Sequence, residues 1–302
     1  MQPHRYLIIG ASGFIGQNIQ SYLAARNYPV LGTQSKARPN ALTKFDLLAD
    51  RITDCVPRHF QAGVGQLQVV ICAMVTNIDQ CLTERETSHR INVEHTIRLI
   101  QDVAPYGAQI TFLSTGYIFD GKDGYYNETD VPTPVNEYAR HKREVEEYLQ
   151  AHHPTALILR LDKIVGDNPE QNHMFAHWLK LAQTGAPIVS IQGSVLSPTY
   201  VGDVAYGIHE AHQRRLQGLY HLANAKFFHR GELAYQFCRA LGFPTNVAER
   251  PLHQFGFADT RALKSYLNGS RFAAATNLTH TPMSDVFRRL AAARNQNTTQ
   301  PS

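Results

Sequence analysis

One seven-residue stretch near the amino terminus, Gly10-Ala11-Ser12-Gly13-Phe14-Ile15-Gly16, constrains this chain more than any other feature. It follows a short apolar run, Leu7-Ile8-Ile9, and opens into a helical pattern from about Phe14 to Ala25, with Ile15, Ile19, Tyr22 and Leu23 on one face. Three glycines at this spacing let the backbone turn tightly, approach a pyrophosphate closely and set it on the positive end of a helix. A strand before the loop and a helix after it, at the head of an alternating chain, is the context in which such a loop binds a dinucleotide. Gly10, Ser12, Gly13, Phe14, Ile15 and Gly16 are therefore expected to line a cofactor site.

The rest of the first half keeps alternating. Pro29-Val30-Leu31 and Gln68 to Cys72 read as strands, Ile91 to Val103 as a helix, and Gln109 to Leu113 as a strand that ends at Ser114-Thr115. Glu137 to Ala151 is helical in period and Ala156 to Leu161 is again an apolar strand. Strands alternating with helices predict an α/β fold with a Rossmann-type doubly wound parallel sheet. Beyond about Val165 the pattern loosens, with helices expected at His173–Thr184, within Pro198–Gln213 and at Gly231–Leu241, and a strand at Gly218–Leu222. The expected division is a cofactor domain over 1–165, to which 195–225 returns, and a smaller, partly interleaved substrate-binding region over 166–290. The polar stretch 291–302 is expected to fray.

The second strand decides which dinucleotide. An acid at its end bonds the ribose 2′-hydroxyl of NAD, but here the positions run Thr33-Gln34-Ser35-Lys36-Ala37-Arg38, with no carboxylate until Asp46. Lys36 and Arg38 suit a 2′-phosphate, whose charge they would pair. NADPH is expected over NADH.

Tyr138-Ala139-Arg140-His141-Lys142 places a tyrosine and a lysine one helical turn apart on one face. A phenol near its ordinary pKa of about 10 relays protons poorly at neutral pH, and an adjacent ammonium stabilises the phenolate. Thr115, where a buried strand ends, has a hydroxyl placed to hold a substrate oxygen against Tyr138, because ligands of open parallel sheets bind outside the carboxyl ends of the strands. Taken alone, Thr115 reads as a turn cap and the Tyr–Lys pair as an exposed helix face. The three together, in order after a glycine loop, point to carbonyl–hydroxyl chemistry.

With these residues in view the chain resembles the extended short-chain dehydrogenase/reductase superfamily, and most the dTDP-4-dehydrorhamnose reductase branch. The resemblance rests on Gly10, Gly13 and Gly16, on Ser114 through Gly121, on Glu128-Thr129-Asp130 and Pro134 through Tyr138, on Asn92-Val93, and on Ser197-Pro198-Thr199 with Asp203-Val204-Ala205. It implies Tyr138 as proton donor and Lys142 as holder of the nicotinamide ribose. It further implies Thr115 as the residue orienting the carbonyl, and Asn92 supporting the lysine through a water. Asp46 and Leu47 would lie by the adenine, and Ala73 and Met74 by the nicotinamide. The implied reaction is hydride transfer from NADPH to C4 of a nucleoside-diphosphate 4-keto-6-deoxy sugar. A homodimer through the helices near Asn92 and Tyr138 is also implied.

The chain departs from that branch on the substrate side. Gly116 stands where the branch carries an acid, and Leu161-Asp162-Lys163-Ile164-Val165-Gly166 replaces a run of small, hydroxyl and aromatic residues. The Asp162-Lys163 pair reads either as a surface ion pair or as a specificity element. An epimerase of the same superfamily, or a non-catalytic dinucleotide-binding regulatory subunit, are the competing readings. The missing acid at 116 counts against dehydration, and the intact Thr115, Tyr138 and Lys142 count against a non-catalytic role.

Other features exclude function classes. A formal charge of +4 with scattered basic residues gives no nucleic-acid face, and no stretch reaches the roughly 18 apolar residues that span a bilayer. The opening residues do not read as a signal peptide. Cys55, Cys72, Cys81 and Cys238 are expected as free thiols in a reducing, cytoplasmic compartment. That makes the sequon at Asn127 a coincidence. No histidine spacing suggests a metal. Phe175 and Trp178 share a helix face and are expected in the core, while Arg160 meets either a diphosphate or an internal carboxylate.

Overall fold

The computed structural model describes residues 4–36, 42–61 and 65–298. Arg38, one of the two cations expected at the cofactor's 2′-position, lies outside them. Seven parallel strands form the central sheet: β1 (Arg5–Ile9), β2 (Val30–Gln34), β3 (Thr43–Lys44), β4 (Leu67–Ile71), β5 (Gln109–Thr115), β6 (Leu157–Leu161) and β7 (Gly218–Leu222). Their order across the sheet is β7-β6-β5-β4-β1-β2-β3, the doubly wound arrangement expected from the alternation.

Period-two burial explains why both faces are apolar. Leu7, Ile9, Val69, Ile71, Ile110, Phe112 and Ile158 point to one side. There they meet α2 (His95–Val103) and α3 (Glu137–His152), through Leu99, Ile100, Val103, Val145 and Leu149. Tyr6, Ile8, Val70, Leu113, Leu157, Leu159 and Leu161 point to the other. That face is covered by α1 (Phe14–Ala24) and α5 (Val201–Gln213), with Ile19, Leu23, Val204 and Ile208 against it. Strands covered on both faces read as mostly apolar runs, as β1, β4, β5 and β6 do, whereas the edge strand β3 is only Thr43-Lys44.

A separate core holds the later chain. Phe175 and Trp178 of α4 (Met174–Gln183) are buried against Phe237 of α6 (Arg230–Leu241) and Phe287 of α8 (Met283–Thr298). Their ring centroids lie 5.1–5.7 Å apart. The two residues expected in a core are in one. Of the stretch 291–302 expected to fray, 291–298 belong to helix α8, which runs on to Thr298, and 299–302 lie outside the described residues. Ala291 packs on this core and the Arg294 guanidinium sits 5.1 Å over the Phe243 ring while donating to the Leu241 carbonyl. Polar composition hid a helix whose inner stripe is narrow. The helix α7 (Ser270–Thr276) and the strand pair Ile188–Ile191 with Val247–Arg250 had no periodic signal long enough to read.

Of the four histidines buried among the described residues, three are the most strongly shifted: His212 accepts from or donates to the Thr111 hydroxyl at 2.7 Å, His221 pairs with the Tyr126 carbonyl at 3.0 Å, and His141 lies 3.3 Å from the Asn92 amide. Burial pushes them down to about 3, about 3 and about 4, with Arg160 adding to the shift at His221 and His89 at His141. Unfolded histidines protonate near 6.5, so each contributes stability that is full above that pH and lost as pH falls toward its folded value. Unfolding at pH 5 is therefore expected to take up about three protons at these sites, and Tm to fall steadily between pH 6.5 and pH 4. Scanning calorimetry across that range checks it; a Tm that stays level from pH 7 to pH 5 contradicts it.

Candidate active site

The strand order reverses between β4 and β1, and the crevice at the carboxyl ends of such a pair is where open α/β sheets bind ligands. Gly10 ends β1 there with φ +85°, and a Cβ on it would lie 2.8 Å from the Ala73 nitrogen just past β4. Both the backbone conformation and the close approach require glycine. The turn is fixed by the Gly10 and Ala11 N–H groups, which donate to the hydroxyl (3.1 Å) and carbonyl (2.8 Å) of Thr33 in β2. At Gly16 a Cβ would come within 2.4 Å of the Gly10 carbonyl, so the third glycine lets α1 close on the loop. Gly13, the N-cap of α1, is exposed beside Ser12, and a Cβ there would meet nothing nearer than 3.4 Å. The result is an open cradle over a helix N-terminus, which fits a pyrophosphate. Phe14 stacks on His173 with centroids 5.0 Å apart, and Ile15 packs on the sheet. Both therefore shape the loop as well as border it.

Lys36 is exposed on the bend after β2. Asp46 accepts from the Leu48 N–H at 3.0 Å, a local turn, and Leu47 is buried with its carbonyl receiving Arg98 Nη2 at 2.7 Å. Ala73 and Met74 follow β4, half-buried at the crevice. Asn92 is fully buried in a π-helical turn, Arg90–Glu94, before α2. Its side chain accepts from the Val75 N–H (2.7 Å) and donates to the Val75 carbonyl (2.9 Å), and it touches His141 and the Cys81 sulfur. Its direct partners thus hold the strand exit beyond Ala73 and Met74.

Thr115, Tyr138 and Lys142 come together. Thr115 ends β5, its hydroxyl accepting from the Tyr117 N–H at 3.2 Å and bonded to the Tyr138 phenol. It caps a turn and meets Tyr138 at once. Tyr138 starts α3, which is anchored by the Asn136 cap on the Ala139 N–H (2.9 Å) and by Glu137 N–H donating to Asp259 (2.9 Å). One turn on, the Lys142 ammonium donates to the Leu113 carbonyl at 2.5 Å and lies 5.8 Å from the Tyr138 ring centroid. Burial raises the Tyr138 pKa above its ordinary value and lowers that of Lys142 to about 7, Cys72 and Glu146 opposing the latter. Tyr138 therefore carries its proton at neutral pH, as a proton donor must.

Ser114 turns away: its hydroxyl donates to Glu146, which also holds Arg160 bidentately at 3.0 and 2.7 Å. Arg160 thus meets an internal carboxylate. The Asp162–Lys163 pair resolves into separate roles. Asp162 receives the Ser197 N–H (2.5 Å), the Ser197 hydroxyl (3.1 Å) and the Ser265 hydroxyl (2.7 Å). A Cβ on Gly116 would lie 2.5 Å from the Ser265 carbonyl, so the absence of a side chain at 116 and the segment held by Asp162 are one packing arrangement. Residues 265–267 arrive from far along the chain, and nothing near Gly116 in sequence signals them. Asp120 and Asp130 accept from the Lys122 and Asn127 N–H groups of their own loop and cap it, while Glu128 accepts from the His221 N–H of β7.

A seven-stranded doubly wound sheet with a glycine cradle and a Thr–Tyr–Lys set at its carboxyl edge defines a nicotinamide-dinucleotide oxidoreductase of the extended short-chain dehydrogenase/reductase type. The chain belongs to the RmlD substrate-binding domain family, whose model matches residues 4–293. It is 28% identical over 250 residues to methionine adenosyltransferase 2 subunit beta of Danio rerio, covering 80% of this chain and 75% of that one. It is 28% identical over 203 residues to the dTDP-4-dehydrorhamnose reductase of Aggregatibacter actinomycetemcomitans, covering 67% and 65%. Among solved structures, a hypothetical dTDP-4-dehydrorhamnose reductase from Sulfolobus tokodaii superimposes with TM-score 0.81 at 26% identity, covering 93% and 98%. The Bacillus anthracis dTDP-4-dehydrorhamnose reductase in complex with NADP shares the fold at 23% identity, with TM-score 0.82 over 95% and 98%. No helix among the described residues is long and apolar enough to cross a membrane.

Proposed function

We propose that the protein is an NADPH-dependent reductase of a nucleoside-diphosphate 4-keto-6-deoxy sugar. The observation that carries this reading is the convergence of Thr115, Tyr138 and Lys142 at the carboxyl edge of the sheet whose first turn is the glycine cradle. A bound NADPH supplies the hydride. The Thr115 hydroxyl holds the substrate carbonyl against Tyr138, which protonates its oxygen as the hydroxyl forms. Lys142 stabilises the phenolate that remains. Gly10, Gly13 and Gly16 make room for the pyrophosphate, Ala73 and Met74 border the nicotinamide, and Asn92 fixes that border through Val75. The substrate region over 166–290 closes the sugar side, and two copies associate through the helices around Asn92 and Tyr138, which light scattering tests.

Purified protein mixed with NADPH and a panel of such sugars is expected to oxidise one NADPH per sugar reduced. Turnover of the sugar without net NADPH loss would instead mark an epimerase. A second reading, a non-catalytic subunit, is favoured by the relative named as a subunit of methionine adenosyltransferase; NADPH binding with no turnover of any sugar would support it. Lys36→Ala with Arg38→Ala is expected to raise the KM for NADPH about tenfold or more and leave that for NADH unchanged, since a 2′-phosphate loses its paired charges. An unchanged NADPH KM would move the 2′-site elsewhere.

A further inference from the structure

Beside the reaction centre stand two half-buried cations that lack a close partner, although the neighbouring Asp162 carboxylate acts on Lys163. The segment Ser194–Tyr200 brings them together: Thr199 N–H donates to the Lys163 carbonyl at 2.9 Å, and Arg230 N–H donates to the Ser194 carbonyl at 2.9 Å. Strand pairs Ile164–Val165 with Thr199–Tyr200 and Val195–Leu196 with Phe228–His229 fix this. Among the described residues neither the Lys163 ammonium nor the Arg230 guanidinium has a hydrogen bond or an ion pair within 4.0 Å, and Arg230 Nε is buried without a partner. Asp162, the adjacent carboxylate, is occupied by Ser197 and Ser265. Arg261, the third cation near this cluster, is committed to Asp79 at 2.9 Å. The cluster borders the chemistry. Leu161, two residues before Lys163, is the register partner of Thr115, and Tyr117 interacts electrostatically with Arg230 and Asp162 on one side and with Tyr138 on the other.

A half-buried charge without a close partner is poorly solvated, and Arg230 Nε, buried without one, adds a desolvation cost. A ligand that brings an opposite charge removes that cost, so such a pair is a site awaiting an anion. We propose that Lys163 and Arg230 form an oxyanion-binding subsite beside the reaction centre, which receives an acidic group of the substrate, phosphoryl or carboxylate. The two residues are this chain's specificity element on the sugar side. Burial and the Arg230 charge push the Lys163 ammonium down to about 8, a strain that an anion between them relieves. The inference rests on the proposed function only in taking this crevice as the substrate's, and its test reads binding rather than turnover. Either can therefore fail alone.

The NADPH-loaded wild type, Lys163→Met and Arg230→Met are titrated calorimetrically with inorganic pyrophosphate, UDP, UDP-glucose and UDP-glucuronate. Each variant is expected to lose tenfold or more in affinity for at least one probe while keeping its NADPH affinity, and to melt at or above the wild-type Tm in the absence of probe. Loss shared by pyrophosphate and UDP identifies the occupant as the diphosphate. Loss confined to UDP-glucuronate identifies it as a carboxylate on the sugar. Equal affinities of all three proteins for all four probes, or no binding of any probe by the wild type, would overturn the proposal.

Discussion

Tyr138→Phe is expected to lower kcat for carbonyl reduction by about 10²–10⁴-fold, the range of a positioned general acid, with NADPH affinity nearly unchanged. The substitution removes one oxygen and leaves the ring. The packing around α3 therefore stays, along with the Lys142 contact to the Leu113 carbonyl and the Asn136 cap. What goes is the hydroxyl that Thr115 bonds and that burial keeps protonated. Stopped-flow absorbance of the reduced nicotinamide separates the hydride step from binding. A phenylalanine variant that reduced the sugar at the wild-type rate would show that another group delivers the proton.

Glu146→Ala is expected to cost about 3–5 kcal/mol of stability, because removing one partner of a buried ion pair strands the other. Glu146 and Arg160 are both essentially inaccessible, joined by two hydrogen bonds between α3 and β6, and Ser114 donates to the same carboxylate. Among the described residues Arg160 has no second ion pair; it also meets the His221 ring at 3.5 Å and the Phe119 face. In a chain of this size the loss corresponds to a Tm drop of roughly 5–8 °C. The double variant Glu146→Met with Arg160→Met is expected to lose much less, since no charge is left unpaired. A single variant as stable as the wild type would mean that water reaches Arg160.

These two sites differ in how far the sequence announces them. Tyr138, Lys142 and Thr115 are legible because helical period and a strand end fix their mutual placement locally. The same is true of the glycine cradle, whose residues are contiguous. Glu146 is one residue among several acids on a charged helix, and only the fold shows that it faces Arg160. Asp162 and Lys163, adjacent in sequence, look like one ion pair but part company, because Ser197 and Ser265 claim the carboxylate from 35 and 103 residues away. Gly116 is explained by the carbonyl of Ser265 for the same reason. Most of the central sheet was legible because its inner strands are buried on both faces and read as largely apolar runs; the two-residue, polar edge strand β3 was not, nor was the α8 extension, because a helix needs only a narrow apolar stripe to pack. Local pattern carries the cofactor half; long-range pairing carries the substrate half.

The most direct test of the central claim follows the transferred hydrogen. Protein is incubated with NADPH deuterated at C4 and a nucleoside-diphosphate 4-keto-6-deoxy sugar, and the product is examined by mass spectrometry and NMR. The account predicts one deuterium bonded to the sugar's C4 for each NADPH oxidised, and loss of both signals in Tyr138→Phe. A sugar altered in configuration yet free of deuterium, or deuterium bonded to a different carbon, would contradict it.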